Sequence, residues 1–349
     1  ATLSPVPMNH ILYNLFAHAI YLLTGHESLL ALRLPALLFG VAGLPVFFFL
    51  IRHELGRTSA IVGTVLLTLS PIHLYYSQEA RGYTAAIFWT VLALFFYSRI
   101  RREGRGHAGL ILSGVTMLYT FFLSGIVLAA IGGISLWELR AERRRLAISV
   151  LLSLGATLLI AFQFYAMVLP QLREFYTHGV SEYPEETKNY GLTLFRGVQL
   201  MGLPFALRPL GTAFLLLVVA GLWISRREWP AWLLLLCLAL LATLGLASGT
   251  YLFARFLLPL LPLMLLVFIR GTSLIHGGTL MSWKTGALVL AGLIGYGTAL
   301  AHFERTEKMD SRGAARWIDA NVPRGERLLT MSEAISGVRY HLKDHEIVF

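Results

Sequence analysis

Ten apolar runs separated by short polar connectors leave this chain very few folds. They fall at about 29–51, 58–74, 83–98, 108–122, 123–138, 146–168, 210–225, 230–248, 252–269 and 284–301. Hydrocarbon offers no hydrogen-bond partner, so a run of this kind satisfies its backbone polar groups in lipid by closing them into a helix. The chain is 56% hydrophobic and 14% charged, with a mean hydropathy of +0.67, whereas a soluble domain carries about 25% charged residues. The expectation is an all-α polytopic membrane protein of about ten spans.

The basic residues set the expected orientation. Of 29 Lys and Arg, 14 lie in connectors between runs: Arg52 and Arg57; Arg99, Arg101, Arg102 and Arg105; Arg140, Arg143, Arg144 and Arg145; Arg226 and Arg227; Arg270 and Lys284. That is how cytoplasmic loops are marked, so the net charge of +10 reads as a topology signal, and no nucleic-acid partner is expected. Two crossings within 108–138 have only about 15 residues each, against the usual 20 or so. A single long crossing would put the Arg99–Arg105 and Arg140–Arg145 clusters on opposite sides. The charge rule therefore favours a short helical hairpin turning near Phe122–Gly125. Ten passes then place the N-terminal segment, residues 70–84, the 169–209 loop and the C-terminal tail on the extracytoplasmic face of the plasma (inner) membrane. Cys237 is the single cysteine, which excludes a disulfide framework within the chain.

Asn9–Leu23, NHILYNLFAHAIYLL, is too short to span. His10, Asn14 and His18 share one helical face, and the segment reads as an interfacial helix. The sequence opens at Ala1 without an initiator Met, a basic n-region or a cleavage site, which suggests an N-terminally truncated chain. Residues 169–209 form an acidic polar loop, EYPEETKNYG, followed by the weakly amphipathic LTLFRGVQLMGLPF. A transmembrane domain over 1–301 is followed by a charged tail over 302–349, where a helix at Ala314–Ala320 and a short strand at Arg327–Thr330 indicate a small α/β unit.

One stretch breaks the apolar pattern. Ser70–Thr84, SPIHLYYSQEARGYT, sets Glu79 and Arg81 between two membrane-length runs, where charge is expensive. At i and i+2 they do not face each other on a helix. Arg81 has the fork geometry to hold a phosphate, and Glu79 can bind a metal or orient a hydroxyl. The alternative is a structural ion pair anchoring the loop. Arg255 lies at the outer end of a later span and Arg33 at the outer start of the first; each has a ligand-binding reading and a snorkelling one. His10 and His18 are weak candidate metal ligands, being more simply surface histidines. Tyr75, Tyr76, Tyr83 and Trp89 are most simply an interfacial belt. The sequence has no Walker A loop, no GxGxxG after a strand, no Cys/His zinc pattern and no GxSxG, so no nucleotide is expected.

With these residues set out, the sequence resembles the bacterial and archaeal GT-C glycosyltransferases of family 39, the protein-mannosyltransferase-like enzymes that include the aminoarabinose transferases of lipid A. Asn9-His10-Ile11-Leu12-Tyr13 matches the family's (N)HPPLYY, with Ile in place of the first Pro. Arg33-Leu34-Pro35-Ala36 through Gly40 matches its RLPSALFG, and Ser70 through Tyr83 matches SPxHIYYSQEARxY almost throughout. Arg255-Phe256-Leu257-Leu258-Pro259 looks more loosely like its RYLLPLLP.

The resemblance implies transfer of a sugar from a polyprenyl-phosphate carrier to a lipid, glycan or protein acceptor on the extracytoplasmic face. Arg81, Arg255 and His10 would then meet the donor phosphate. Glu79, Gln78, Tyr76, Tyr83 and Asn9 would orient the donor or a divalent metal ion, with Glu79 as the metal ligand. The family's catalytic carboxylate lies some tens of residues before the NH element, a position before Ala1, so no residue here inherits that role. A non-catalytic polyprenyl-phosphate binder or flippase component, and a scaffold subunit of an envelope complex, remain open alternatives.

Overall fold

The computed structural model of the protein describes residues 10–24, 29–140, 143–178, 208–248, 254–276, 311–323, 327–329 and 346–348, with single residues 294, 297 and 301. The chain divides into two compact units, Ala1–Ala299 and Leu300–Phe349.

The described elements of the first unit are all helical. Its elements are α1 (Ile11–Thr24), α2 (Leu29–Leu55), α3 (Arg57–Leu69), α4 (Pro71–Ser77), α5 (Tyr83–Glu103), α6 (His107–Thr120), α7 (Gly125–Glu138), α8 (Arg144–His178), α9 (Arg208–Ile224), α10 (Trp229–Ser248) and α11 (Leu261–His276). Short 3-10 segments occupy Phe122–Ser124 and Ala254–Leu260. Among the described residues three helices are long and apolar enough to cross a bilayer: Leu32–Leu55, Tyr83–Glu103 and Arg144–Gln163. The pair α3 and α4 makes a fourth if its 58° bend is counted within one span, and five shorter apolar helices accompany them. The predicted run at 284–301 lies outside the described residues apart from positions 294, 297 and 301.

Side-chain contacts give the helix directions. Ala36 accepts a hydrogen bond from Thr84 at 2.8 Å, and at the far ends of the same two helices Glu54 accepts one from Arg102 at 3.0 Å. Helices α2 and α5 therefore run the same way. Helix α6 runs back, since Gly109 lies against the Phe96 ring near the end of α5. The chain then reverses at Phe121, whose extended backbone (φ −157°, ψ 101°) stops α6. Helix α7 returns to the end of α5, where Glu138 meets Arg101. The expected hairpin is there, with its turn at Phe121–Ser124. Helix α8 follows α6, as His107 pairs with Ser153 at 2.9 Å and Tyr119 donates to the Ile160 carbonyl at 3.0 Å.

The arginine-bearing connectors thus collect at one end of the bundle, where they do more than mark topology. Arg101 forks onto Glu138 at 2.8 and 3.0 Å and also donates to the Tyr97 hydroxyl at 3.0 Å. Glu54, only 8% exposed, accepts from Arg102 and from the Ser98 hydroxyl. His53 bridges Ser98 and Glu103, Arg99 pairs with Glu103, and Arg270 pairs with Glu228 at 2.8 Å. An edge-to-face contact of Tyr97 with Trp229, with ring centroids 5.2 Å apart, ties the α9–α10 turn into this end. Two glycines allow a close helix crossing. A Cβ at Gly221 would strike the Val267 carbonyl and one at Gly271 the Leu217 carbonyl, so α9 and α11 meet backbone to backbone, as small residues permit inside a membrane bundle.

Several boundaries differ from expectation: the run over 252–269 opens as a 3-10 segment and its helix continues to His276, and the run from 83 continues to Glu103. The run expected as one helix over 58–74 breaks at Ser70 (φ −59°, ψ 118°), because Pro71 lacks an N–H and forces the preceding residue out of the helical region. Helix α8 continues to His178, so residues 169–178 are helix and not loop; residues 179–207 lie outside the described ones. In the second unit, α12 (Ser311–Asn321) precedes β1 (Arg327–Leu329) and β2 (Glu346–Val348), which pair in parallel with Arg327 opposite Glu346.

Candidate functional site

The end of the bundle opposite the ion pairs is built from four segments far apart in sequence: the start of α1, the α4–α5 turn, the α6–α7 turn and the 3-10 segment before α11. His10 is the junction. Its Nδ1 lies 2.8 Å from the Thr120 carbonyl. A carbonyl oxygen only accepts, so Nδ1 carries the proton. The imidazole stacks on Phe121 (5.4 Å, 21°) and meets the edge of Tyr83 (5.1 Å, 78°). Tyr83 in turn meets Phe121 at 5.7 Å and Tyr76 at 4.7 Å, Tyr76 meets Tyr75 at 4.9 Å, and Phe121 meets Phe256 at 6.0 Å. Such aromatic pairs contribute about 0.5–1.5 kcal/mol each beyond the area they bury, so the network holds four segments in one geometry.

Gly82 makes the docking of α1 possible. A Cβ there would stand 2.8 Å from His10 Nδ1 and 3.1 Å from Tyr13 Cβ. Tyr13 is 2% exposed and donates its hydroxyl to the Leu32 carbonyl at 3.3 Å. Burial first, and then the negative charge of Glu79, push its phenol above the ordinary value.

The charged residues crown this network. Gln78 closes α4, its N–H bonding the Tyr75 carbonyl at 3.1 Å, and the Arg81 N–H bonds the Glu79 carbonyl at 2.7 Å to form a tight turn. Gln78 and Arg81 are exposed and Glu79 is half-buried. No ion pair joins Glu79 to Arg81 among the described residues, so the anchoring pair that the sequence left open is not formed there. Arg255 is on the 3-10 segment beside Phe256, with its side chain outside the described ones, as is Asn9 altogether. Arg33 and His18 are exposed; His18 stacks on Tyr21 at 6.3 Å, away from the cluster.

The structure adds residues that sequence reasoning passed over. Phe121 and the Thr120 carbonyl have no motif of their own; only the hairpin expected nearby hinted at them. Tyr13 belongs to the NHILY element but was not singled out. His73 is 4% exposed, with its Nδ1 unpartnered among the described residues.

These elements define a class of fold before any relative is considered: an all-α polytopic membrane bundle with a short helix docked across one end. No family model and no curated protein matches the chain. Among solved structures it is similar to ArnT from Cupriavidus metallidurans in the apo state, at 14% identity over 96% of this chain and 74% of that one, with a TM-score of 0.61. It is also similar to the same protein bound to undecaprenyl phosphate, at 14% identity over 98% of this chain and 76% of that one, with a TM-score of 0.64. The likeness is one of fold.

Proposed function

We propose that the chain acts as an integral-membrane glycosyltransferase, moving a sugar from a polyprenyl-phosphate carrier to a lipid, glycan or protein acceptor on the extracytoplasmic face. One observation carries the reading. The segments bearing His10, Tyr76, Glu79, Arg81 and Tyr83, and the one bearing Arg255, meet at the end of the bundle remote from the arginine–glutamate pairs, in a fold shared with an ArnT crystallised with undecaprenyl phosphate. The positive-inside rule then makes the ion-paired end cytoplasmic and the aromatic end extracytoplasmic.

In the reaction an acceptor oxygen attacks the anomeric carbon with inversion. The bond from that carbon to the phosphate oxygen breaks, and its electron pair leaves on the polyprenyl phosphate. Arg81 is placed to take that charge through paired N–H donors, with Arg255 and His10 adding to the field. Glu79, Gln78, Tyr76, Tyr83 and Asn9 orient the donor. The acceptor's proton passes to a base that is assigned to no residue of this chain. Among the described residues no three His, Cys, Asp or Glu side chains come together, so Glu79 lacks companions for a metal there and no step runs through one.

Arg81→Ala tests the reading. In the full-length protein, turnover with a polyprenyl-phosphate sugar is expected to fall about 10²–10³-fold, the loss typical of removing one preorganised charge donor, with membrane insertion unchanged. Unaltered turnover refutes the role of Arg81. Retention of the carrier lipid by wild type, without transfer of any sugar, favours a non-catalytic binder.

A further inference from the structure

At the ion-paired end, α7 and α10 leave a cavity of 740 Å³ between them, and Arg101, Glu138, Arg143, Arg227, Trp137 and Trp232 stand on its wall. We propose that this cavity binds the headgroup of an anionic glycerophospholipid. It shares no residue with the donor site. Arg101 lies 18 residues along α5 from Tyr83, about 27 Å at the rise of an α-helix, so the two sites face opposite leaflets. The proposal rests on the function above only for the name of its leaflet, the cytoplasmic one.

The charge balance selects the ligand. Among the described residues three guanidinium groups face one carboxylate, and Glu138 is already committed to Arg101 by its two hydrogen bonds. Arg143 and Arg227 are exposed and form no ion pair among the described residues, which leaves two positive charges for an anion. Arg143 also opens onto an adjoining cavity with Arg144 and Arg145, at the first turn of α8, where unpaired backbone N–H groups add to the positive field.

The other wall is made for a lipid. Trp137 and Trp232 are 77% and 54% exposed, and indoles at the end of a membrane helix sit at headgroup depth. Gly133, Ile134 and Leu236 continue the cavity along the apolar flanks of α7 and α10, where an acyl chain would lie. Basic pockets between spans on the cytoplasmic side are a recurring place for anionic headgroups.

Native mass spectrometry of the full chain in detergent, titrated with phosphatidylglycerol or phosphatidylcholine, tests the site. Wild type is expected to hold phosphatidylglycerol about 25-fold more tightly, through the two arginines that have no carboxylate partner among the described residues. An arginine near a membrane surface contributes about fivefold, so R143Q/R227Q should bind it about 25-fold more weakly and leave phosphatidylcholine unchanged. Because these arginines also guide topology, Gly133→Leu is the second variant. It fills the cavity without altering charge and should abolish the preference. Equal binding of the two lipids by wild type, or an undiminished preference in both variants, overturns the proposal. So does displacement of phosphatidylglycerol by an equal amount of decaprenyl phosphate, which would make the cavity a carrier-lipid site. Arg81→Ala should leave phosphatidylglycerol binding intact, so the lipid site and the transfer reaction fail separately.

Discussion

Replacing Gly82 by alanine adds one carbon at the point where three segments meet. The backbone there (φ −75°, ψ 14°) suits any residue, so the cost is steric and not conformational. The new Cβ would stand 2.8 Å from His10 Nδ1 and 3.1 Å from Tyr13 Cβ. The His10 ring is pinned by its hydrogen bond to the Thr120 carbonyl, and Tyr13 Cβ is bonded directly to the α1 backbone, so neither moves aside without cost. Overpacking of this kind costs about 1–3 kcal/mol. Taken at its middle, that is about 2 kcal/mol against docking of α1, or about 30-fold in its opening equilibrium. Hydrogen exchange followed by mass spectrometry should show amides of α1 exchanging faster by about that factor, while α5 and α6 keep their protection. Unchanged protection in α1 would refute the claim that Gly82 permits the contact. Faster exchange across the whole bundle would show instead that α1 is not a separate unit of stability.

Other consequences are tested more briefly. Glu138→Ala leaves the Arg101 guanidinium, whose side chain is 8% exposed, without its carboxylate, and should destabilise the detergent-solubilised protein by about 3–5 kcal/mol in thermal unfolding. The apolar double variant R101M/E138L should recover most of that loss; a double variant as unstable as the single one would contradict the assignment. Cys237 is fully buried, so it gives little background in labelling. In intact cells a membrane-impermeant maleimide should reach Arg81→Cys without permeabilisation and Arg226→Cys only after it; the reverse pattern would invert the proposed orientation.

Most helices could be read from the sequence because an apolar run ended by arginine, glycine or Ser-Pro is a physical instruction, not a statistical one. The hairpin over 107–138 was recoverable from charge alone, since the alternative separates two arginine clusters. The break at Ser70 was also written in the chain, as Ser-Pro, yet hydropathy carries straight across it. What could not be read was pairing across helices. That Glu138 meets Arg101 and that Glu54 meets Arg102 depends on rotational register between helices distant in sequence, and no local pattern encodes it. The same holds at the other end. The motifs around His10 and Arg81 were visible separately, but their junction runs through Phe121 and Gly82, whose importance lies in shape and has no sign in composition.

Helix α5 carries both ends of this arrangement. Its first residue, Tyr83, is locked into the aromatic network, and its last turn is held to neighbouring helices by ion pairs through Arg101 and Arg102. At 21 residues the rod is about 31 Å long, close to the thickness of a bilayer's hydrocarbon core. A free helix adapts to a thinner or thicker membrane by tilting, but one fastened at both rims to its neighbours cannot tilt alone. The surrounding lipid must stretch or thin to fit it. Bilayer thickness therefore becomes a control on the protein: in vesicles of graded acyl-chain length, the geometry around His10 and Arg81 is kept best where the membrane matches α5.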